Sequence, residues 1–257
     1  MATRASLTLL HQVAPEGLAV TRKQLLASGL TGAAIDRYVK SGWLHLVGRG
    51  AYLRGPDKAL ARPLRWQQLA ISLQRAELPL HVGGPTALAI HGYPDAAVAE
   101  HPAIHLFGKA RMPAWAAQVK LRENVAVRRF ELLPPRVRAG VVPIQWGPWD
   151  WSLWISSPER ALLETMALLP DTYDFTAADL MFAAAGNLDA TALNALLGWS
   201  RHVQVNRLFL WFADRHGHPW NAEIDRTRVF TGAGKRQVVA GGRLDARYKI
   251  TVPAELA

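Results

Sequence analysis

Nine residues near the start of the chain combine types and spacings suited to gripping a polyanion: Arg22, Lys23, Thr31, Gly32, Ala33, Arg37, Lys40, Arg49 and Arg54. A guanidinium presents a planar fork that matches a guanine edge or a phosphate, so Arg37 suits either contact. Lys40 is a point charge and suits a phosphate. Gly32 and Ala33 carry almost no side chain, which lets backbone approach the edge of a groove. Arg49 stands between Gly48 and Gly50, where a tight tip would present one cation to a minor groove. Asp36 sits among them and would repel phosphate; a base amino group or Arg37 would have to hold it. The competing explanation is an ordinary solvated basic surface, and charge alone does not separate the two.

The distribution of charge narrows the choice. The chain has 257 residues, with 30 Lys and Arg against 20 Asp and Glu, a formal charge of +10. Residues 1–65 hold ten basic side chains against three acids, whereas residues 66–257 are nearly balanced. A basic head on a neutral body is the electrostatic footprint of a nucleic-acid-binding module, with double-stranded DNA as the expected partner. Half the residues are hydrophobic, which argues for a globular chain. No cysteine is present, so disulfides, thiolate metal sites and a Cys nucleophile are excluded. No apolar run reaches about 18 residues, and residues 1–15 lack a signal-peptide core. A cytoplasmic protein that does not touch a membrane is expected.

These side chains need elements to position them. Leu7, Leu10, His11 and Ala14 recur with helical period, up to the breaker Pro15-Glu16-Gly17. Leu18–Val20 suits a short edge strand. Thr21 and Gln24 form a capping box for a second helix that stops at Ser28-Gly29. Thr31 then caps a third helix, Gly32 to Lys40. Its Ala34, Ile35, Tyr38 and Val39 fall on one side; Gly32, Ala33, Asp36, Arg37 and Lys40 fall on the other. Trp43–Val47 and Ala51–Leu53 flank the Gly48-Arg49-Gly50 tip as a hairpin, with Trp43 and Tyr52 packing it onto the helices. The pattern predicts a winged helix-turn-helix domain over 1–57, followed by a larger mixed body over 58–257, in an α+β chain.

The segment from Thr21 to Tyr52 resembles the N-terminal domain of AbiEi-type antitoxins of type IV toxin–antitoxin systems. Three later stretches extend the likeness in order: His81–Pro94 (HVGGPTALAIHGYP), Ile155–Pro170 (ISSPERALLETMALLP) and Gly234–Pro253. The resemblance implies a winged helix that binds the promoter of its own operon. It also implies a C-terminal domain that antagonises a nucleotidyltransferase-like toxin without forming a stable complex with it.

The body reads as α/β. Residues 56–65 suit a linker, with Pro63 opening a helix to about Glu77. Pro85 opens the next helix, flanked by His81 and His91 as structural hydrogen-bonding groups. Strand patterns cover Ala103–Phe107, Val119–Arg122, Val125–Glu131, Val141–Trp146 and Trp151–Ile155. Ser157 and Pro158 begin a helix ending near Leu169, on which Arg160 and Glu164 have the spacing of a surface pair. Thr176 suits a cap for a further helix, and two more cover Thr191–Ser200 and Val203–His216. Gln237–Val239 and Tyr248–Val252 flank a Gly241-Gly242 turn as a hairpin. Trp146, Trp149, Trp151 and Trp154 could stack single-stranded bases, but basic groups are lacking nearby and cross-strand packing is favoured.

Enzyme chemistry finds little support. A phosphate loop ending at Lys235 would need Gly where Val229 stands and Ser or Thr where Arg236 stands, so Gly232–Lys235 reads as a flexible turn. No Gly-x-Ser-x-Gly elbow occurs. His101 and His105 are four apart, but Pro102 and strand propensity argue against a helical metal pair, and Asp214, His216 and His218 suit a helix end better than a metal. No catalytic residue, metal or cofactor is therefore expected. Two alternatives remain beside the DNA-binding antitoxin and autorepressor. One is a metal-dependent nuclease using Glu123 and Glu131; the other is an effector-responsive transcription factor with no toxin partner.

Overall fold

The computed structural model describes residues 4–55, 63–94, 103–134, 137, 139–147 and 151–257. His101, Trp149 and most of the expected linker lie outside the described residues. The chain is mixed α/β, with a three-helix head carrying a small sheet and a body built on a five-stranded sheet.

The head contains α1 (Arg4–Val13), β1 (Ala19–Thr21), α2 (Arg22–Ala27), α3 (Gly32–Lys40), β2 (His45–Gly48) and β3 (Ala51–Leu53). Strands β2 and β3 form the hairpin, and β1 pairs antiparallel with β3, giving the order β1-β3-β2. Leu10, Val20, Leu25, Leu30, Ile35, Tyr38, Leu44 and Tyr52 close over one face of this sheet as a small core. The other face is buried too. Successive strand residues point to opposite sides, so Ala19 and Ala51 turn away from the head core. They join Trp66, Leu69, Leu73, Leu106, Trp115 and Ile155 of the body in a second apolar layer. Head and body thus share packing through the sheet. Hydrogen bonds reinforce it: Ala19 N–H donates to the buried Ser72 hydroxyl at 2.9 Å, and Gln68 Nε2 donates to Gly17 O at 2.8 Å.

The body continues with α4 (Trp66–Arg75), β4 (Leu80–Val82), α5 (Gly84–Ile90), β5 (Ile104–Gly108), α6 (Ala114–Ala117), β6 (Val125–Arg128), β7 (Val141–Trp146) and β8 (Trp151–Ser156). The strands order as β6-β5-β4-β8-β7. The β4–β8 and β5–β6 pairs are parallel and the other two antiparallel. Helices α7 (Pro158–Met166), α8 (Phe175–Ala183), α9 (Ala190–Trp199) and α10 (Val203–His216) follow. They cover the sheet face that presents Phe107, and their Leu162, Met166, Phe182, Leu193, Phe209 and Phe212 form the largest core. The two-stranded ribbon β9 (Arg243–Asp245) and β10 (Ile250–Val252) closes that core.

Several expectations change in the fold. Val119–Arg122 is not a strand; α6 precedes it, and only Leu121 bridges, to Leu64. The C-terminal ribbon pairs Arg243–Asp245, not Gln237–Val239, with the last strand; Arg236 bridges Ile250 instead. Asp174, not Thr176, caps α8, and Asp189 caps α9, because their carboxylates reach the exposed amides of Ala177 and Thr191. Trp43 is 42% exposed and leans on His11, so only Tyr52 is packed inside the head. Trp146 and Trp151 do pair across β7 and β8, with ring centres 6.0 Å apart.

The largest departure concerns Arg160 and Glu164. They are buried, at 7% and 1% side-chain exposure, not a solvated pair. Glu164 accepts from Arg160 Nε at 2.8 Å, from the Ser156 hydroxyl at 2.7 Å and from the Gly84 N–H at 3.1 Å, and bonds His81 Nε2 at 2.8 Å. Burial by itself would raise its pKa, yet His81 and Arg160 outweigh that and hold the carboxyl at about 2, against an ordinary 4.5. Gly83 makes room for it: a Cβ there would overlap Glu164 Oε2 and stand 2.7 Å from Phe107 Cδ2.

Because the folded value lies below the unfolded one, ionised Glu164 stabilises the fold above about pH 4.5, and this contribution drains away as pH falls toward about 2. Glu164→Gln is expected to cost about 3–5 kcal/mol near neutrality, since it strands buried partners. Denaturant titration should show the gap between wild type and variant narrowing across that acidic window. A gap independent of pH would contradict the assignment.

Candidate nucleic-acid interface

The exposed surface of the head is assembled by two helix caps. Thr21 accepts from the Gln24 amide at 3.2 Å while the Gln24 side chain accepts from the Thr21 amide at 2.8 Å, a complete capping box. At the turn Gly29 takes φ 98°, a left-handed conformation that glycine adopts without strain. Thr31 then accepts from the Ala34 amide at 3.2 Å and starts α3. The apolar side of α3 is anchored by Ala34, Ile35 and Tyr38, all buried. The opposite side faces solvent with Ala33, Asp36, Arg37 and Lys40, and Thr31 is exposed at its start. Arg37 and Lys40 occupy the last turn, where cations also suit the negative end of the helix dipole.

Arg22 is not a free cation. Its Nη1 donates to Asp36 at 2.8 Å and to the Tyr52 hydroxyl at 3.2 Å, and the carboxylate raises its already high pKa. In return the Arg22 hydrogen bond holds Asp36 below the usual carboxylate range. Arg22 therefore ties α2, α3 and the wing strand together and masks the one acid on the exposed face of α3. Gly32 leaves space for this arm: a Cβ there would lie 3.3 Å from Arg22 Nη2. Asp36 was expected to look to a base or to Arg37; its partner comes from the preceding helix.

Lys23 and Arg49 are exposed, whereas Arg54 turns inward. Its Nε donates to Ala14 O at 2.7 Å, with Glu16 at 4.0 Å. Arg54 thus buttresses α1. The wing tip is also propped from outside the head. The Arg49 amide donates to Gln118 Oε1 at 3.0 Å, and a Cβ on Gly48 would stand 2.8 Å from Trp115 Cα. Only glycine at 48 allows so close an approach to α6. The structure thus gathers Arg22, Gly32, Asp36 and Tyr52 into one cluster and leaves Arg37, Lys40, Lys23 and Arg49 as exposed cations. Sequence reasoning missed Trp115 and Gln118; nothing local marks residues that meet the wing from so far along the chain.

The groups considered for enzyme chemistry have other work. Glu123 accepts from the Trp66 amide at 3.1 Å and so caps α4, while Glu131 pairs with Lys109 at 2.7 Å. His105, buried beside Arg128 Nε at 3.0 Å, is pushed down to about 4 by burial and by that cation. Asp214 binds Arg226, Arg247, Asn221 and Tyr248; His216 bonds Asp179, and His218 bonds Phe182 O. Among the described residues no three His, Asp or Glu are grouped to hold a metal ion, and no helix is long and apolar enough to cross a membrane.

Comparison with known families accounts for both parts of the chain. A family model described as the AbiEi antitoxin N-terminal domain of a transcriptional regulator matches residues 3–96, and one described as transcriptional regulator, AbiEi antitoxin, type IV toxin–antitoxin system matches residues 101–253. The chain belongs to the AbiEi antitoxin family. The crystal structure of the RV2827C protein from Mycobacterium tuberculosis is similar in fold to this AbiEi chain. It has a TM-score of 0.53 at 18% identity and covers 96% of this chain and 90% of its own. No curated protein sequence matches. Within the AbiEi matches, the first family model runs past the wing through α4, β4 and α5, and of these α4 and β4 share an apolar layer with Ala51 of the wing.

Thr31→Ala is expected to lower stability by about 1 kcal/mol through loss of the α3 cap. Ile35→Ala should cost about 2–5 kcal/mol by opening the head core. Urea unfolding followed by circular dichroism checks both. Equal and negligible effects would mean that α3 is not packed as described.

Proposed function

We propose that this AbiEi-family regulator is a DNA-binding antitoxin and autorepressor. In this scheme residues 1–57 form the head that engages operator DNA and residues 58–257 the body that counters a nucleotidyltransferase-like toxin without a stable complex. The chain acts in the cytoplasm, and it is not an enzyme. The observation that carries the DNA-binding part is the solvent-facing side of α3. It has small residues at its start, its only acid neutralised by Arg22, and Arg37 and Lys40 projecting from its last turn. Such a face lies against a major groove without an unpaired carboxylate opposing the phosphates. Arg49 on the wing tip extends the basic surface beside it.

The roles divide. Arg37 reads a base edge or grips a phosphate, Lys40 and Lys23 contact phosphate, and Thr31, Gly32 and Ala33 allow close approach. Arg22 acts by positioning, since its fork is spent on Asp36 and Tyr52. Arg54 contributes by holding α1 and not by touching DNA. The nuclease alternative loses ground because Glu123 and Glu131 are each engaged at separate structural contacts.

Fluorescence anisotropy with the chain's own promoter duplex tests the proposal. Affinity should fall steeply as salt rises, because phosphate contacts release counterions. Arg37→Ala should cost about 1–3 kcal/mol on the specific site if it reads a base, whereas Lys40→Ala should weaken all duplexes alike. A promoter footprint unchanged by Arg37→Ala would exclude this placement of α3.

The clamp makes a separate claim. Arg22→Gln should weaken DNA binding by exposing the Asp36 carboxylate, and adding Asp36→Asn should restore much of the loss. If the double variant binds no better than Arg22→Gln alone, Arg22 touches DNA directly.

A further inference from the structure

The C-terminal end of the body holds a cleft of about 300 Å³, lined by Arg207, Arg226, Thr231, Gly232, Arg247 and Lys249 among others. That volume lies at the small end of the range for small-molecule sites, about 300–1,000 Å³. Its charge is one-sided. Arg207 is only 2% exposed, yet among the described residues no carboxylate pairs with it. It donates instead to the carbonyls of Thr231, Gly232, Gly234 and Lys249. A buried guanidinium satisfied by neutral carbonyls keeps its full positive charge, which is costly without an anion near. Burial first, and then the charge of Arg236, pull its pKa below the usual range.

The surrounding donors are only partly used. Asp214 takes up Arg226 and one side of Arg247, with Tyr248 and Asn221 completing its shell. Asp245 is engaged by the Tyr248 amide. Lys235, Arg236 and Lys249 are exposed and have no acidic partner among the described residues. The Gly232–Lys235 turn wraps its carbonyls inward onto Arg207. Its own N–H groups donate to nothing among the described residues. Of these cations Lys249 lines the cleft itself, beside Arg247 and Gly232; an unpaired cation and a partly used guanidinium on a concave opening make an anion-binding geometry.

We propose that this cleft binds the phosphate chain of a compact polyphosphorylated ligand, of the nucleoside triphosphate class. The donors surround a pocket too small for a duplex, and the site is built by α10, its following loops and the last hairpin, independently of α3. The proposal does not depend on the DNA-binding reading.

Isothermal titration of the full chain with inorganic triphosphate and, separately, with ATP tests it. Both should bind. Equal affinities would assign recognition to the phosphates alone, and tighter ATP binding would add a contact to the base or sugar; either supports the proposal. The double variant Arg247→Gln/Lys249→Asn should weaken triphosphate binding by roughly tenfold or more. Asn is chosen at 249 because Lys249 has φ 54°, a conformation Asn tolerates. Circular dichroism confirms that the variant is folded. Arg122→Gln, which removes an exposed cation elsewhere, should bind as wild type does. Absence of binding by the wild type, an unchanged double variant, or an equal loss in Arg122→Gln would each overturn the site. So would competitive displacement of triphosphate by a short duplex, which would make the cleft part of a nucleic-acid surface.

Discussion

A carboxylate almost without access to water sits where the body's elements converge. Glu164 reaches from α7 to the end of β8 through Ser156, to the start of α5 through Gly84, and to β4 through His81, while Arg160 on its own helix neutralises it. An isolated charge at that depth would be prohibitively unstable. Every partner must therefore be in place together, which ties the strand β4, its following turn and α7 into one arrangement. Gly83, the residue before α5, belongs to the same constraint, since it has no room for a side chain between Glu164 and Phe107. The large helical core then builds outward from α7 through its buried Ala161, Leu162, Leu163 and Met166.

The head depends on that body more than a basic module on a linker would. Both sides of its strands β1 and β3 are covered: Val20 and Tyr52 look toward the head helices, and Ala19 and Ala51 look toward α4 and the large sheet. Small side chains on the outer face allow the two layers to approach, and Ser72 supplies the acceptor for the Ala19 amide that this approach would otherwise orphan. The wing tip follows the same logic, with Gly48 pressed on α6 and Gln118 satisfying the Arg49 amide. Any change in the body that moved α4 or α6 would be felt at the wing.

Electrostatics divides along similar lines. On the head, Arg22 spends its charge inside the protein so that Asp36 does not oppose a polyanion, and Arg37 and Lys40 keep theirs for solvent. At the far end of the chain Arg207 is buried among carbonyls, and its neighbours leave excess positive charge around a cleft. Both surfaces are shaped less by the number of cations than by which of them have acids within reach.

Local order was legible from residue types because it rests on short-range physics. Helix caps at Thr21 and Thr31, glycine stops, the apolar side of Gly32–Lys40 and the Gly-x-Gly hairpin each involve neighbours within a few residues, and each stands in the fold where spacing put it. The ordered motifs also sufficed to connect the chain with its family. What could not be read off is every contact whose partners lie far apart in sequence. Arg160 and Glu164 have the spacing of a solvated helix pair, and only the packing of α5, β4 and β8 over them removes the water. Arg54 looked like one more surface cation until α1 folded back against it. Trp115 and Gln118 meet the wing only because α6 packs beneath the hairpin. Burial is a property of the assembled layers, and a side chain's type does not reveal whether its charge will face solvent or be sealed among partners.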